Sequence, residues 1–168
     1  MRTWKLALAC LLAFSVFVGI AFLPGTQAKV LKAGVIIEPH RVDLGSQMPP
    51  EVTAIIKIVG AYDVTQIDSS TILMEGYLPP LWTEIRILIT DEGEEELRLV
   101  AGFDGNGVEA ILWAKIYHLG ITTPNPNAPA KIGLDVTGNL LPEYGGTAFA
   151  GTGDLKVIIP VNNPPPPP

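Results

Sequence analysis

Cysteine is almost absent from this 168-residue chain, and its single copy, Cys10, lies in the first apolar run. Past that run no thiol is left for a disulfide, for thiol chemistry or for a cysteine metal site. Histidine is nearly as scarce, with only His40 and His118, far apart. No H-x-x-x-H motif marks a zinc site, and His40 with Met48, or His118, is the nearest approach to a copper donor set, at a spacing that is not diagnostic. Beyond the apolar run the only serines are Ser46, Ser69 and Ser70, and none sits in a G-x-S-x-G elbow. A Ser-His-Asp hydrolase therefore has no signature here, and a paired-carboxylate glycosidase needs a cleft that a small β-domain seldom offers. The glycine loops that cradle phosphates, G-x-G-x-x-G after a strand and G-x-x-x-x-G-K, are also missing.

Basic residues are the next shortage. The chain has 11 Lys and Arg against 17 Asp and Glu, and its basic residues are scattered singly. Such a surface repels nucleic acid and anionic membranes. Two basic residues, Arg2 and Lys5, precede the uncharged run Leu6 to Leu23, which Pro24 and Gly25 interrupt before Thr26-Gln27-Ala28. That layout reads as a secretory signal peptide over 1–28. A retained anchor is the alternative, since a span needs roughly 17–25 apolar residues. Cys10 lies too early in the run to be a lipidation site. At the other end, Asn162-Asn163 and five prolines, Pro164 to Pro168, cannot join a sheet and read as a polyproline II tail or linker over 162–168.

Between these ends, over 29–161, the apolar period is two. Val52, Ala54, Ile56 and Ile58 alternate with Thr53, Ile55, Lys57 and Val59, and Ile85, Ile87 and Ile89 with Glu84, Arg86 and Leu88. Leu97 to Ala101, Ile132 to Val136 and Leu155 to Ile159 repeat the pattern. Shorter candidates are Ala33 to Ile37, Thr71 to Tyr77 and Val108 to Ile116. Val108 to His118 is also rich in helix formers, but strand is the preferred reading. Each is a half-buried strand pattern. Turn signals such as Met48-Pro49-Pro50, Leu78-Pro79-Pro80 and Asp104-Gly105-Asn106-Gly107 separate them. About eight short strands with such turns predict an all-β chain, an antiparallel β-sandwich. Tyr62, Trp82, Phe103, Trp113 and Phe149 are its large core candidates. Trp82, following Pro79-Pro80, is alternatively an exposed platform for a sugar ring.

The run Ala61 to Gly76, AYDVTQIDSSTILMEG, resembles a signature of an immunoglobulin-like module found in secreted multidomain bacterial and archaeal proteins. Ile37-Glu38-Pro39 with Leu44 resembles the module's opening strand. Leu134-Asp135-Val136-Thr137-Gly138-Asn139-Leu140, then Phe149-Ala150-Gly151-Thr152-Gly153-Asp154 and Val157, resembles its close. The resemblance covers nearly all of 29–161 and carries no catalytic signature. It implies an Ig-like sandwich acting as an accessory module outside the cytoplasm, with a protein or glycan partner at the cell surface. The signature residues themselves have scaffold readings: Asp63 and Asp68 can close Asx-turns, and Gly76 and Gly138 suit positive φ or close approach.

One stretch, Phe103 to Ala110 (FDGNGVEA), holds the chain's best case for an ion. Asp104, Asn106 and Glu109 supply oxygens at short spacing, and Asn-Gly is equally a hairpin signal. Fuller loops of the resembled module carry carboxylates where this chain has Gly102 and Ala110. The side chains supply about half of the 6–8 oxygens that calcium takes. The reading is a hairpin turn, with a weak Ca²⁺ site as the sharper alternative. The acidic run Asp91 to Glu96 reads as a solvated hairpin tip. The expectation is a non-enzymatic structural or interaction module, with a carbohydrate- or calcium-dependent binding module as the alternative.

Overall fold

A computed structural model describes residues 29–90, 92–121 and 129–160. The leader over 1–28 and the proline tail lie outside the described residues. The chain is mostly β-structure. Its strands are β1 (Leu31–Glu38), β2 (Arg41–Asp43), β3 (Glu51–Ile58), β4 (Ile67–Met74), β5 (Trp82–Ile89), β6 (Glu95–Asp104), β7 (Ala130–Leu140) and β8 (Ala148–Ile158). Among the described residues one α-helix, α1 (Gly105–His118), separates β6 from β7. The strands pair in the order β4-β7-β8-β1-β3-β6-β5, with β2 added beside β8. Most pairings are antiparallel, but β1 and β2 each run parallel to β8, so the sheet is mixed.

β1 is the strand on which the sheet divides. It pairs with β8 only at Leu31 and Lys32, then along Ala33 to Glu38 with β3. The strands β4, β7 and β8 lie on one side of this junction and β3, β6 and β5 on the other. The sheet curls there, and its inner faces enclose one core. Val52, Ala54, Ile56 and Ile58 of β3 meet Ile132, Leu134, Val136 and Leu140 of β7 and Phe149, Leu155 and Val157 of β8 in that cluster. The period-two reading of β3, β7 and β8 is correct at every second residue. Among the aromatic candidates, Phe103 and Phe149 are fully buried and Trp113 packs against the cluster, while Tyr62 is exposed.

Val108 to Ile116 is helix, not strand. Two periods fit this segment, because Val108, Ala110, Leu112, Ala114 and Ile116 alternate while Val108, Ile111, Leu112 and Ile116 recur at helical spacing. The second set is the one buried. Few polar residues interrupt the segment, so sequence alone had little to separate the two. The hairpin reading of FDGNGVEA is corrected with it: Asp104 ends β6 and caps α1, its Oδ2 accepting from Gly107 N at 3.0 Å. At the far end Gly120, at φ 63°, closes the helix with Ile121 N bonded to Ile116 O at 3.1 Å. Lys115 ties the helix to the sheet, its Nζ lying 2.9 Å from Gly133 O and 2.8 Å from Glu75 Oε1. Tyr77 falls in the turn after β4 rather than on the strand, where Glu75 and Gly76 both take positive φ.

Candidate functional site on the open edge of the sheet

The two ends of the strand order are built differently. At the β4 end the register against β7 breaks between Asp68 and Leu73. Asp68 Oδ1 takes Ser70 N at 3.1 Å and Ser70 Oγ at 2.6 Å, an Asx-turn that bends the strand and occupies its polar groups. Such irregularity blunts an edge. At the other end β5 runs in unbroken register with β6 from Trp82↔Gly102 to Ile89↔Glu95. It holds no proline, lysine or bulge. The hairpin tip closes through Thr90 N to Glu94 O at 2.8 Å and Gly93 N to Thr90 O at 2.9 Å. Asp91 of the acidic run lies outside the described residues.

Ile85, Ile87 and Ile89 are not half-buried as their alternation suggests; they are 42%, 61% and 75% exposed, beside Leu97 at 42%. They lie on the inner face of the sheet, past the reach of the layer opposite. On the outer face Trp82 lies across Gly102, where a Cβ would come within 2.4 Å of the indole. Its Nε1 donates to Glu51 Oε2 at 2.7 Å, and the Arg86 guanidinium sits 5.4 Å from the ring centroid. Trp82 is therefore half-buried, with a glycine under one part of its ring and an arginine over it. Arg86 also pairs with Glu84 at 2.6 Å. Further along this face Glu96 accepts from Lys57 at 2.5 Å and from Arg98. The Lys57 ammonium holds the Glu96 carboxyl below its ordinary value of 4.5, with partial desolvation opposing and Arg98 assisting.

The three candidate ion ligands share one helix start, and two of them have other engagements. Asp104 caps the helix and Glu109 Oε1 lies 3.4 Å from Trp113 Nε1, while Asn106 is exposed. Among the described residues no three His, Cys, Asp or Glu side chains form a group able to hold a metal. His40 Nδ1 sits 2.8 Å from Ile37 O in the turn before β2, and His118 stacks edge-on with Tyr117 at the helix end. Gly105-Asn106-Gly107 with Ala110 does form a G-x-G-x-x-A spacing at a strand-to-helix junction. Here the strand is antiparallel, a carboxylate occupies the Gly107 amide, and Gly105 is packed under Pro49-Pro50, so the junction is not built as the phosphate cradle of a parallel strand-to-helix turn. Replacing Asp104 with alanine should cost about 1 kcal/mol as a lost N-cap. That loss should be the same in millimolar calcium and in chelator. A wild-type melting midpoint that rises with calcium, and fails to rise in Asp104→Ala, would instead restore the ion reading.

An open groove of about 590 Å³ lies on the outer face where β1 leaves β8, lined by Lys32, Gly34, Asp135, Thr137 and Thr152 among others. Thr152 Oγ1 donates to Asp135 Oδ1 at 2.6 Å, so two of its polar side chains satisfy each other. Sequence reasoning missed both this groove and the edge character of β5. Strand pairing order is not encoded in local alternation, although the charge pair Glu84 and Arg86 on an otherwise isoleucine-rich strand is a signal of exposure. Among the described residues no helix is long and apolar enough to cross a membrane. No protein-family model, curated protein or solved structure matches this chain.

Proposed function

We propose that the chain is a non-enzymatic structural or interaction module of the cell surface or the extracellular space. It would be built as an Ig-like β-sandwich and act through the free edge of β5. The observation that carries this reading is that edge: eight residues paired, among the described residues, on one side only, with apolar side chains left in solvent. An uncovered strand edge is a ready acceptor for a partner strand. The resembled signature residues supply support of a different kind, because they hold scaffold positions. Asp63 forms a capping box with Gln66 before β4, its Oδ1 accepting from Thr65 N at 2.9 Å. Gly138 lies under the Phe149 ring, where a Cβ would meet Cε1 at 2.7 Å. Residues kept for the frame leave function to surfaces, which suits an accessory module. In the sandwich reading α1 occupies a place that a strand would otherwise take. The carbohydrate- or calcium-dependent alternative finds no favouring contact at Trp82 or Asp104.

Fractionation of the producing cell with N-terminal sequencing of the recovered chain tests the location. Protein in the envelope or medium that begins at Lys29 is the expected result. A cytoplasmic chain that still carries Arg2 and Lys5 overturns the reading.

A further inference from the structure

We propose that β5 pairs antiparallel with β5 of a second copy of this chain, about a two-fold axis at Ile85. The inference rests on the reading of β5 as an interaction edge and names its partner. Thr90 N bonds to Glu94 O, so the pair 90/94 is hydrogen-bonded, and such pairs alternate along an antiparallel ladder. Leu88, Arg86 and Glu84 therefore turn their amides and carbonyls toward β6. Thr83, Ile85, Ile87 and Ile89 turn theirs outward, where a second strand can take them.

Charge selects the register. A two-fold at Glu84 would set Glu84 against its own copy, and a two-fold at Arg86 would set Arg86 against its own copy. A two-fold at Ile87 would place Arg86 opposite Leu88 and Glu84 opposite Thr90. Only the axis at Ile85 places Glu84 opposite Arg86 of the second copy, and does so twice by symmetry. These fall at the non-hydrogen-bonded positions, where side chains approach closest. The same axis puts Ile85 beside Ile85 and Ile87 beside Thr83 on the apolar face. It also brings Ile89 toward Leu81, which is 63% exposed. Because the two-fold is isologous, each copy uses its own β5 edge in the pairing and the assembly closes at two copies; the register break at Asp68 to Leu73 makes β4 the less regular edge.

The test uses the 168-residue chain with Cys10→Ser, so that an introduced thiol is the only one, expressed so that the cell processes and releases it. Sedimentation should give twice the chain mass, falling to one on dilution. Glu84→Arg and Arg86→Glu should each weaken dimerisation by about tenfold or more, the factor expected when like charges face across a strand pair. The double exchange Glu84→Arg with Arg86→Glu should restore it. Mild oxidation should link Ile85→Cys into a covalent dimer and leave Ile87→Cys unlinked, since in this register the two copies of residue 87 sit roughly 13 Å apart. Circular dichroism checks that each variant folds, and the two cysteine variants read the register even where a charge variant does not. A monomer at every concentration, single charge exchanges without effect, equal linking at 85 and 87, or species that grow past two copies would each overturn the proposal. A monomer found outside the cell would remove self-pairing and leave the module reading intact; a dimer confined to the cytoplasm would do the reverse.

Discussion

Gly105→Ala should lower stability by about 3 kcal/mol, opposite in sign to what helix propensity alone gives. Alanine is favoured over glycine inside a helix by about 1 kcal/mol, and Gly105 opens α1. Yet a Cβ there would lie 1.9 Å from Pro49 O and 3.0 Å from the carbonyl carbons of Pro49 and Pro50. These are backbone atoms of two consecutive prolines and cannot rotate aside as a side chain would. Gly105 N also donates to Pro50 O at 3.0 Å, so withdrawing the helix breaks that bond as well. Overpacking of a rigid contact costs about 1–3 kcal/mol, and this one is at the upper end. Gly107→Ala supplies the internal comparison. Its Cβ would meet Leu78 Cδ1 at 2.9 Å, the far end of a flexible side chain. That variant should stay within about 1 kcal/mol of wild type, because the propensity gain offsets a small rearrangement. Urea unfolding at constant m-value separates the two. Equal gains in both variants would mean that α1 does not start against the Pro49-Pro50 segment.

What could be read in the residues was whatever local physics decides. The alternation in Val52 to Ile58 specifies a strand because one face of β3 is buried along its whole length. Asp63 and Asp68 announce turns because their carboxylates accept from amides two residues on, and Gly76 because it takes a positive φ without steric cost; the structure places each in such a turn. Gly138 needed a tertiary partner, Phe149, yet its place on a buried strand already hinted at close approach. Three things were hidden. β2 is three residues long and exists only because β8 runs beside it. The open status of β5 depends on the order in which strands pair, which no window of sequence contains. The Asp104 cap was misread because Asp-Gly-Asn-Gly also makes a good hairpin, and the residues after it satisfy both periods. The candidate site shares this limit: Glu84 and Arg86 were visible as charges on a strand, but their role follows only once β6 is known to cover one side and nothing described covers the other.

Ile111→Ala and Leu112→Ala should each cost about 3 kcal/mol, and the pair together decides the conformation of this segment. In a strand, neighbouring residues point to opposite faces, so one of two adjacent positions on a half-buried strand is always spared. In a helix they lie about 100° apart, and both can face the same core. Both are buried here, at 2% and 0% exposure, within the cluster that includes Val108, Phe103 and Val52. Truncating either removes three methyl or methylene groups and leaves a cavity, in the range of about 2–5 kcal/mol for such changes. Ala110 and Ala114 share a strand face with Leu112 but are exposed on the helix. Lysine at either should therefore cost less than about 0.5 kcal/mol, as surface substitutions do. Thermal or urea denaturation of the four variants gives opposite rankings for the two conformations. A strand would make Ala110→Lys and Ala114→Lys the damaging changes and leave Ile111→Ala nearly neutral. The helix predicts that Ile111 and Leu112 fall together while both lysines are tolerated.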